Sequence, residues 1–396
     1  MEHSEEHYYK VSRFLLSASG LCPYQSKRST HLTRGVYSAI MLSSIFFQIA
    51  SFFTYDLTAE FIVEGIPSLI MIVGGVINTY TRIGHVDRYR ELFERMSRDW
   101  ALQKTHDESK IMHEHAEISR LFTIGFLIVA YIFIGGYNIW MVVPEILDMI
   151  FPMNESRPRR RPFNAEFFID EERYFYIIRS HIHVVLLYMP ITYIACSTLY
   201  FTLTQHVCGM CELLGYRAER LFCVVEDERA CDLIWKSKII YENMAVFVRQ
   251  HYEVIKFIGI IETCHTVPFF MDLTGVVFMI SLSLIQVLTI SDAERAIRSI
   301  GVSMAGLGYV FISCYMGQKI TDASTNIIEK IFNSTWYNAV VSQQKALLMI
   351  MMRRCHPIIL TACKFYILSL QNFGMILKMF LSNCKRRSNV ENPREY

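Results

Sequence analysis

Residues able to do chemistry are present in this chain, but few stand at the spacing that chemistry needs. His113-Glu114-His115 sets two imidazoles two residues apart. On a helix that turns them to different faces, whereas a zinc pair needs i,i+4 spacing. The triplet reads as the solvated face of a cytoplasmic helix extension. Cys208 and Cys211 form a lone CxxC, without the second pair or βαβ setting that a zinc or redox site requires. They read as reduced thiols near a helix end. There is no P-loop and no glycine-rich nucleotide turn, so the chain is read as neither an enzyme nor a holder of metal or cofactor. His181 and His183 suit a wet interfacial role better than metal, with a ligand contact as the alternative. Asp272, deep in an apolar stretch after Pro268, is costly in a membrane and therefore stands as a functional candidate. A water-filled cavity, a partner subunit or the inner surface would each accommodate it. Glu64 and Lys378 lie within snorkelling reach of an interface.

The elements that must position these groups are membrane helices. Of 396 residues, 52% are hydrophobic and 19% charged, the balance of a polytopic membrane protein. Seven apolar segments stand out, at 35–55, 61–80, 121–143, 182–205, 257–290, 300–317 and 365–384. They lack ten-residue alternation, and open sheet edges cannot face lipid, so strands are excluded. Residues 1–34 are polar with no signal peptide, leaving targeting to the first span. The reading is an all-α membrane protein with seven transmembrane helices.

Charge sets the expected orientation. With the N-terminus inside, inner segments carry 26 Lys and Arg against 12 in outer segments, which favours a cytoplasmic N-terminus and an extracellular C-terminus. Asn154-Glu155-Ser156 is then an outward glycosylation acceptor and Asn333 an unused inward one. None of the eleven cysteines falls in an expected outer loop, which suits a reduced inner side. The basic residues follow topology, and no nucleic-acid partner is implied.

The outer halves of spans two to six share aromatic, Met and small polar groups: Ser68 and Met71; Phe133, Tyr137 and Asn138; Tyr188 and Thr192; Phe278 and Ser281; Ser303. A mostly apolar site with a few placed polar groups suits a small volatile molecule. The competing reading for each residue is ordinary helix packing.

The C-terminal fifty residues carry an ordered pattern. Trp336-Tyr337, Gln344-Lys345, Leu347-Leu348-Met349, Arg353 and Pro357 come first. Leu360-Thr361-Ala362, Lys364-Phe365-Tyr366, Leu368-Ser369-Leu370, Phe373, Leu377-Lys378 and Ser382 follow. This resembles the C-terminal signature of insect odorant receptors. The resemblance implies a ligand-specific tuning subunit of an odorant-gated, non-selective cation channel. Its partners would be the shared co-receptor, in a heterotetramer, a small volatile ligand and membrane lipid. It places the chain in the dendritic plasma membrane of an olfactory neuron.

The implied division is a cytoplasmic segment at 1–34 and spans one to six with the ligand site at 35–317. A cytoplasmic helical assembly region at 318–364, a pore-lining seventh helix at 365–384 and an extracellular tail at 385–396 complete it. Pore-lining residues are implied at Leu370, Phe373, Leu377, Lys378, Phe380 and Leu381. Assembly contacts are implied at Trp336, Tyr337, Leu347, Lys364, Phe365 and Tyr366. The chain departs from the family pattern at Arg354-Cys355-His356, at Cys363, where the family commonly has Gly, and at Asn383-Cys384-Lys385-Arg386-Arg387, where it has Tyr and an apolar run. The alternatives are a gustatory-type homomeric channel and a G-protein-coupled receptor. For the latter, Glu172-Arg173-Tyr174 and Asn392-Pro393 through Tyr396 are misplaced imitations of that class's motifs.

Overall fold

The computed structural model describes residues 4–102, 104–153, 157, 163–222, 233–289, 293–352 and 357–391. Ten helices run in order: α1 (Ser4–Ala18), α2 (Lys27–Thr54), α3 (Ala59–Ile83), α4 (Val86–Ala101), α5 (His106–Ile150), α6 (Phe175–Arg220), α7 (Leu233–Thr289), α8 (Ala293–Asn333), α9 (Val341–Met351) and α10 (Leu370–Glu391). A 3-10 turn at Trp336–Asn338 and two short strands, β1 (Thr361–Ala362) and β2 (Tyr366–Ile367), complete the described residues. Six helices, α2, α3 and α5 to α8, are long and apolar enough to cross a membrane.

Local chemistry starts several of them. Ser26 accepts from the Ser29 N–H at the head of α2, and Thr58 from the Phe61 N–H at the head of α3. Thr105 and Glu108 form a reciprocal capping box for α5, satisfying two otherwise orphaned N–H groups. Pro67, Pro144, Pro190 and Pro268 all lie inside helices, a placement that membrane helices tolerate.

α5 and α6, of 45 and 46 residues, are about 68 Å long, against a hydrocarbon core of roughly 30 Å. They therefore continue well beyond it. The continuation is the end that carries α1, α4 and α9, where ion pairs gather. Arg217 Nε lies 2.6 Å from Glu108 Oε1 and Arg95 Nη1 2.6 Å from Glu253 Oε2, and His206 Nε2 is hydrogen-bonded to Asp99 Oδ2 at 3.0 Å. α6 is the axis of this half. From Ile194 to Cys211 every residue is buried, the condition of a helix surrounded on all sides. α4 feeds the same core through Tyr89, Leu92, Phe93 and Met96, spaced as one helical face.

Several expectations change here. Residues 1–34 are not simply a polar lead-in: α1 docks against α5 and α6, burying Tyr9, Leu15 and Leu16. His113 and His115 are not a solvated face. Tyr8 OH lies 3.1 Å from His113 Nδ1, and His115 bridges Gln205 at 3.0 Å and Glu212 at 2.9 Å. Glu64 does not snorkel alone; it pairs with Arg298 at 3.6 Å. α8 runs unbroken to Asn333, past the expected end of span six at 317.

The seventh helix starts at Leu370 rather than 365. Residues before it form an antiparallel hairpin pairing Thr361 with Ile367 and Ala362 with Tyr366, so strands are present after all. The hairpin packs against α7 through β1 and against α8 through Tyr366 and Leu368. Ser369 then accepts from the Asn372 N–H at 3.2 Å, opening α10. Before Asn383, α10 runs only from Leu370 to Ser382, roughly 20 Å, and Gln371, Asn372 and Lys378 interrupt its apolar residues. That is shorter than a bilayer core.

The hairpin turn places Cys363 at φ 52° and Lys364 at φ 63°, left-handed geometry that disfavours any residue with a Cβ. The Cys363 N–H donates to Thr266 Oγ1 at 2.7 Å, which holds the turn in place. Cys363→Gly is therefore expected to stabilise the protein by about 1 kcal/mol, read as a higher thermal midpoint in detergent. An unchanged or lower midpoint would show that the turn carries no such strain.

Candidate functional site

α2 buries an unusual stripe: Tyr37, Met41, Ser44, Gln48 and Ser51. The spacing of three and four keeps one face toward the bundle, while Phe46, Ile49 and Phe53 are exposed on the other. Polar groups inside a membrane bundle need partners, and these have them. Gln48 Nε2 donates to Ser44 Oγ at 3.1 Å, and Ser68 Oγ donates to Gln48 Oε1 at 2.8 Å. Ser51 Oγ donates to the Gln48 carbonyl at 2.7 Å.

α3 answers with its own buried stripe, Gly65, Ile72, Gly75, Asn78, Thr79 and Arg82. α6 completes the corner with Val185, Tyr188, Met189 and Thr192. Tyr188 packs with Met41 and Ile72, and Thr79 Oγ1 donates to Thr192 Oγ1 at 3.3 Å. Tyr193 OH donates to the Met71 carbonyl at 3.3 Å. Gly74 makes that approach possible, since a Cβ there would stand 2.8 Å from the Tyr193 hydroxyl.

A second aromatic group adjoins. Tyr137 stacks on Trp140 at 5.4 Å between ring centres, beside Met141, Phe163, Ala165 and Ile182. Phe47 packs on Phe167 at 4.7 Å. His181 Nε2 lies 2.9 Å from Ser43 Oγ, and His183 Nδ1 lies 2.6 Å from Asn138 Oδ1. Arg179 bonds the Met141 carbonyl at 2.9 Å and also the Glu145 carboxylate.

The expected ligand residues divide accordingly. Ser68, Met71, Tyr188 and Thr192 come together on the α2–α3–α6 corner, and Tyr137 joins the neighbouring group. Ser303 is buried, donating to the Ser299 carbonyl at 2.9 Å on α8. Phe133 is 74% exposed and Phe278 52% exposed, and Ser281 is exposed as well, so these three face away from the bundle.

The assembly residues divide too. Leu347 is fully buried in this chain's own core, which corrects its expected role as an outward anchor. Trp336 packs against the same core, and Tyr366 is half-buried with its hydroxyl 3.6 Å from Cys314 Sγ. Tyr337, Lys364 and Phe365 remain exposed. On α10, Phe373, Leu377 and Phe380 are half-buried, Phe373 packing on Phe311 of α8 at 5.3 Å. Leu370, Lys378 and Leu381 are exposed. Asn154 lies outside the described residues.

Sequence reasoning passed over Gln48, because the first span contains no charge. The signal was present as a serine–glutamine–serine stripe at helical spacing in an otherwise apolar segment. It also passed over Arg82, which looks like a loop residue beside an apolar run. In the structure Arg82 is fully buried, donating from Nη1 to the Asn78 carbonyl at 3.3 Å. Asp272 sits nearby on α7. Its carboxylate accepts from Asn78 Nδ2 at 3.1 and 3.0 Å and from Tyr309 OH at 2.6 Å. Of the three settings open to Asp272, the structure therefore shows a fourth: partners within the same chain.

Comparison with known proteins agrees with this architecture. The chain is similar to the insect olfactory receptor OR5 from Machilis hrabei, both in complex with eugenol and without it. The TM-scores are 0.81 and 0.78 at 10% identity, covering 98% and 97% of this chain and 98% of each receptor. It is 21% identical to Odorant receptor 10a of Drosophila melanogaster over 184 residues, or 46% of this chain and 45% of that protein. It is 22% identical to Putative odorant receptor 69a, isoform A, of the same fly over 138 residues, or 35% of each. The matches thus span less than half the length of these curated relatives. The family model described as 7tm Odorant receptor matches residues 58–381, and the chain accordingly belongs to the insect odorant receptor family.

Proposed function

We propose that this chain is a ligand-specific odorant receptor subunit. It binds a small volatile molecule and gates a non-selective cation channel as a heteromer with the odorant-receptor co-receptor. The observation that carries the ligand half is the α2–α3–α6 corner, where Gln48, Ser44, Ser68 and Thr192 place a few polar atoms among Met41, Met71, Ile72 and Tyr188. Sparse polar groups in an apolar setting suit a partly oxygenated volatile. Eugenol, in the similar Machilis hrabei receptor, is a molecule of that class.

The channel half draws on α10. One face packs on α8, while Leu370, Gln371, Gly374, Met375, Lys378 and Leu381 are exposed. The apolar part is too short to cross a bilayer alone, which suits a helix shielded by other subunits around a pore. The chain is placed in the plasma membrane of an olfactory neuron dendrite, N-terminus inside and C-terminus outside.

The test is co-expression with the co-receptor and a broad volatile panel, recorded as current. No ligand-evoked current with the co-receptor would reject the proposal, and current without it would favour the homomeric alternative. Within that assay Tyr188→Ala is expected to reorder the ligand ranking, shifting individual half-maximal concentrations about tenfold, the scale of one lost aromatic contact. Phe133→Ala, on the outward face, is expected to leave the ranking intact. Unchanged ranking in Tyr188→Ala would move the site off this corner.

A further inference from the structure

The buried polar set below the ligand corner has a geometry that packing alone does not require. Asn78 on α3 is bonded twice: its side-chain Nδ2 donates to Asp272 on α7, and its backbone carbonyl accepts from Arg82 one turn on. Tyr309 on α8 donates to the same Asp272 carboxylate. One carboxylate thus ties three membrane helices. Apolar side chains of similar volume would hold such helices at least as well. What the polar set adds is a limited range: a hydrogen bond is lost once its atoms stand about 3.6 Å apart. α3, α7 and α8 therefore cannot slide past one another without breaking a bond.

Each side of this knot leads somewhere. On the ligand side, Tyr309 meets Tyr193 edge to face at 6.2 Å, and the Tyr193 hydroxyl bonds the Met71 carbonyl. On the other side, α7 and α8 grip the terminal hairpin and α10 within about three turns of the knot. From α7, Glu262 accepts from Thr361 Oγ1 at 2.8 Å, and Thr266 Oγ1 accepts from the Cys363 N–H. From α8, Phe311 packs on Phe373, Cys314 meets Tyr366, and Gly317 lies against Leu368.

We propose that Asp272, held between Asn78 and Tyr309, is a positioning residue that couples the ligand-side corner to the Thr361–Ile367 hairpin and α10. Its functional half rests on the ligand-gated reading above; its physical half does not. Asp272 touches neither ligand nor pore in this arrangement. A shift of α3 or α6 on ligand binding pulls on Asn78 or Tyr193, and the carboxylate passes the displacement to both helices that clasp the hairpin.

The test uses the full chain in nanodiscs and hydrogen–deuterium exchange. Tyr309→Phe removes one hydroxyl and keeps the ring against Tyr193, and Asp272→Asn is the isosteric second variant should the first fail to fold. Exchange across 361–375 is expected to rise about tenfold in either variant, since loss of coupling lowers the local opening energy there. Faster exchange confined to 70–85, 265–280 and 300–316 overturns the proposal, because a merely local role would loosen only those segments. In cells with the co-receptor, the ratio of ligand-free to ligand-evoked current per surface receptor is expected to change at least about threefold. An unchanged ratio against a responding wild type overturns the proposal as well. A wild type without ligand-evoked current rejects the channel reading instead, and the exchange result still decides the coupling.

Discussion

Asp272→Leu is expected to destabilise the receptor by about 2–6 kcal/mol, since it leaves the buried donors of Asn78 and Tyr309 unpaired at about 1–3 kcal/mol each. A second buried charge, Arg82, lies beyond Asn78 rather than in a direct ion pair with Asp272, and its Nε and Nη2 have no acceptor among the described residues. A guanidinium cannot shed its proton, so the charge stays. Arg82→Leu is expected to cost less, because the remaining carboxyl keeps its donors on Asn78 and Tyr309 and can take up a proton. The double variant is expected to recover part of the loss, since it removes both buried charges together. The measurement is the monodisperse fraction surviving a heating series in detergent, with surface abundance in cells beside it. A double variant as unstable as Asp272→Leu, or an Arg82→Leu worse than it, would show that the two charges do not answer one another.

Gly317→Ala is expected to displace the terminal hairpin. A Cβ at this position would collide with the Leu368 carbonyl oxygen and stand 2.6 Å from Leu368 Cβ. The obstacle is largely backbone, and that backbone is pinned: the Leu368 N–H donates to the Leu360 carbonyl at 3.0 Å, and Thr321 Oγ1 donates to the Ile358 carbonyl at 2.9 Å. Neither side can yield cheaply, so the loss should reach the upper part of the roughly 1–3 kcal/mol usual for overpacking. Because the hairpin delivers the chain into α10, ligand-evoked current should fall more than surface expression does. Gly301→Ala is the control, with open space where its Cβ would go. Wild-type stability and current in Gly317→Ala would mean that α8 and the hairpin are not in the close contact described.

The change at Cys363 shows how a sequence departure acquires meaning only in three dimensions. As a string, Cys for the family's common Gly is a minor exchange. In the structure it falls at positive φ, next to a second such residue, where a missing Cβ matters. The absent charge in the first span was equally uninformative until Ser44, Gln48 and Ser51 proved to be its buried face. A membrane helix is apolar toward lipid and toward protein alike, so periodicity cannot tell which side is which. That is why Phe133 and Phe278 joined the expected ligand set with Tyr188, although they point outward.

By itself the sequence determined that the chain is a helical membrane protein, because long apolar segments in lipid leave the backbone little other choice. It also determined the family, through the ordered residues from Trp336 to Ser382, and it singled out Asp272 by the cost of a charge among apolar neighbours. The tertiary structure decided the rest. It put Leu347 inside and Tyr337 outside, turned 361–367 into a hairpin and began α10 at Leu370. It assigned Asp272 its partners, Asn78 and Tyr309, which lie 194 and 37 residues away. The physical reason is common to all of these. Hydropathy is a property of each segment alone, whereas burial, pairing and turn strain depend on which segments meet, and that is settled only when the helices pack.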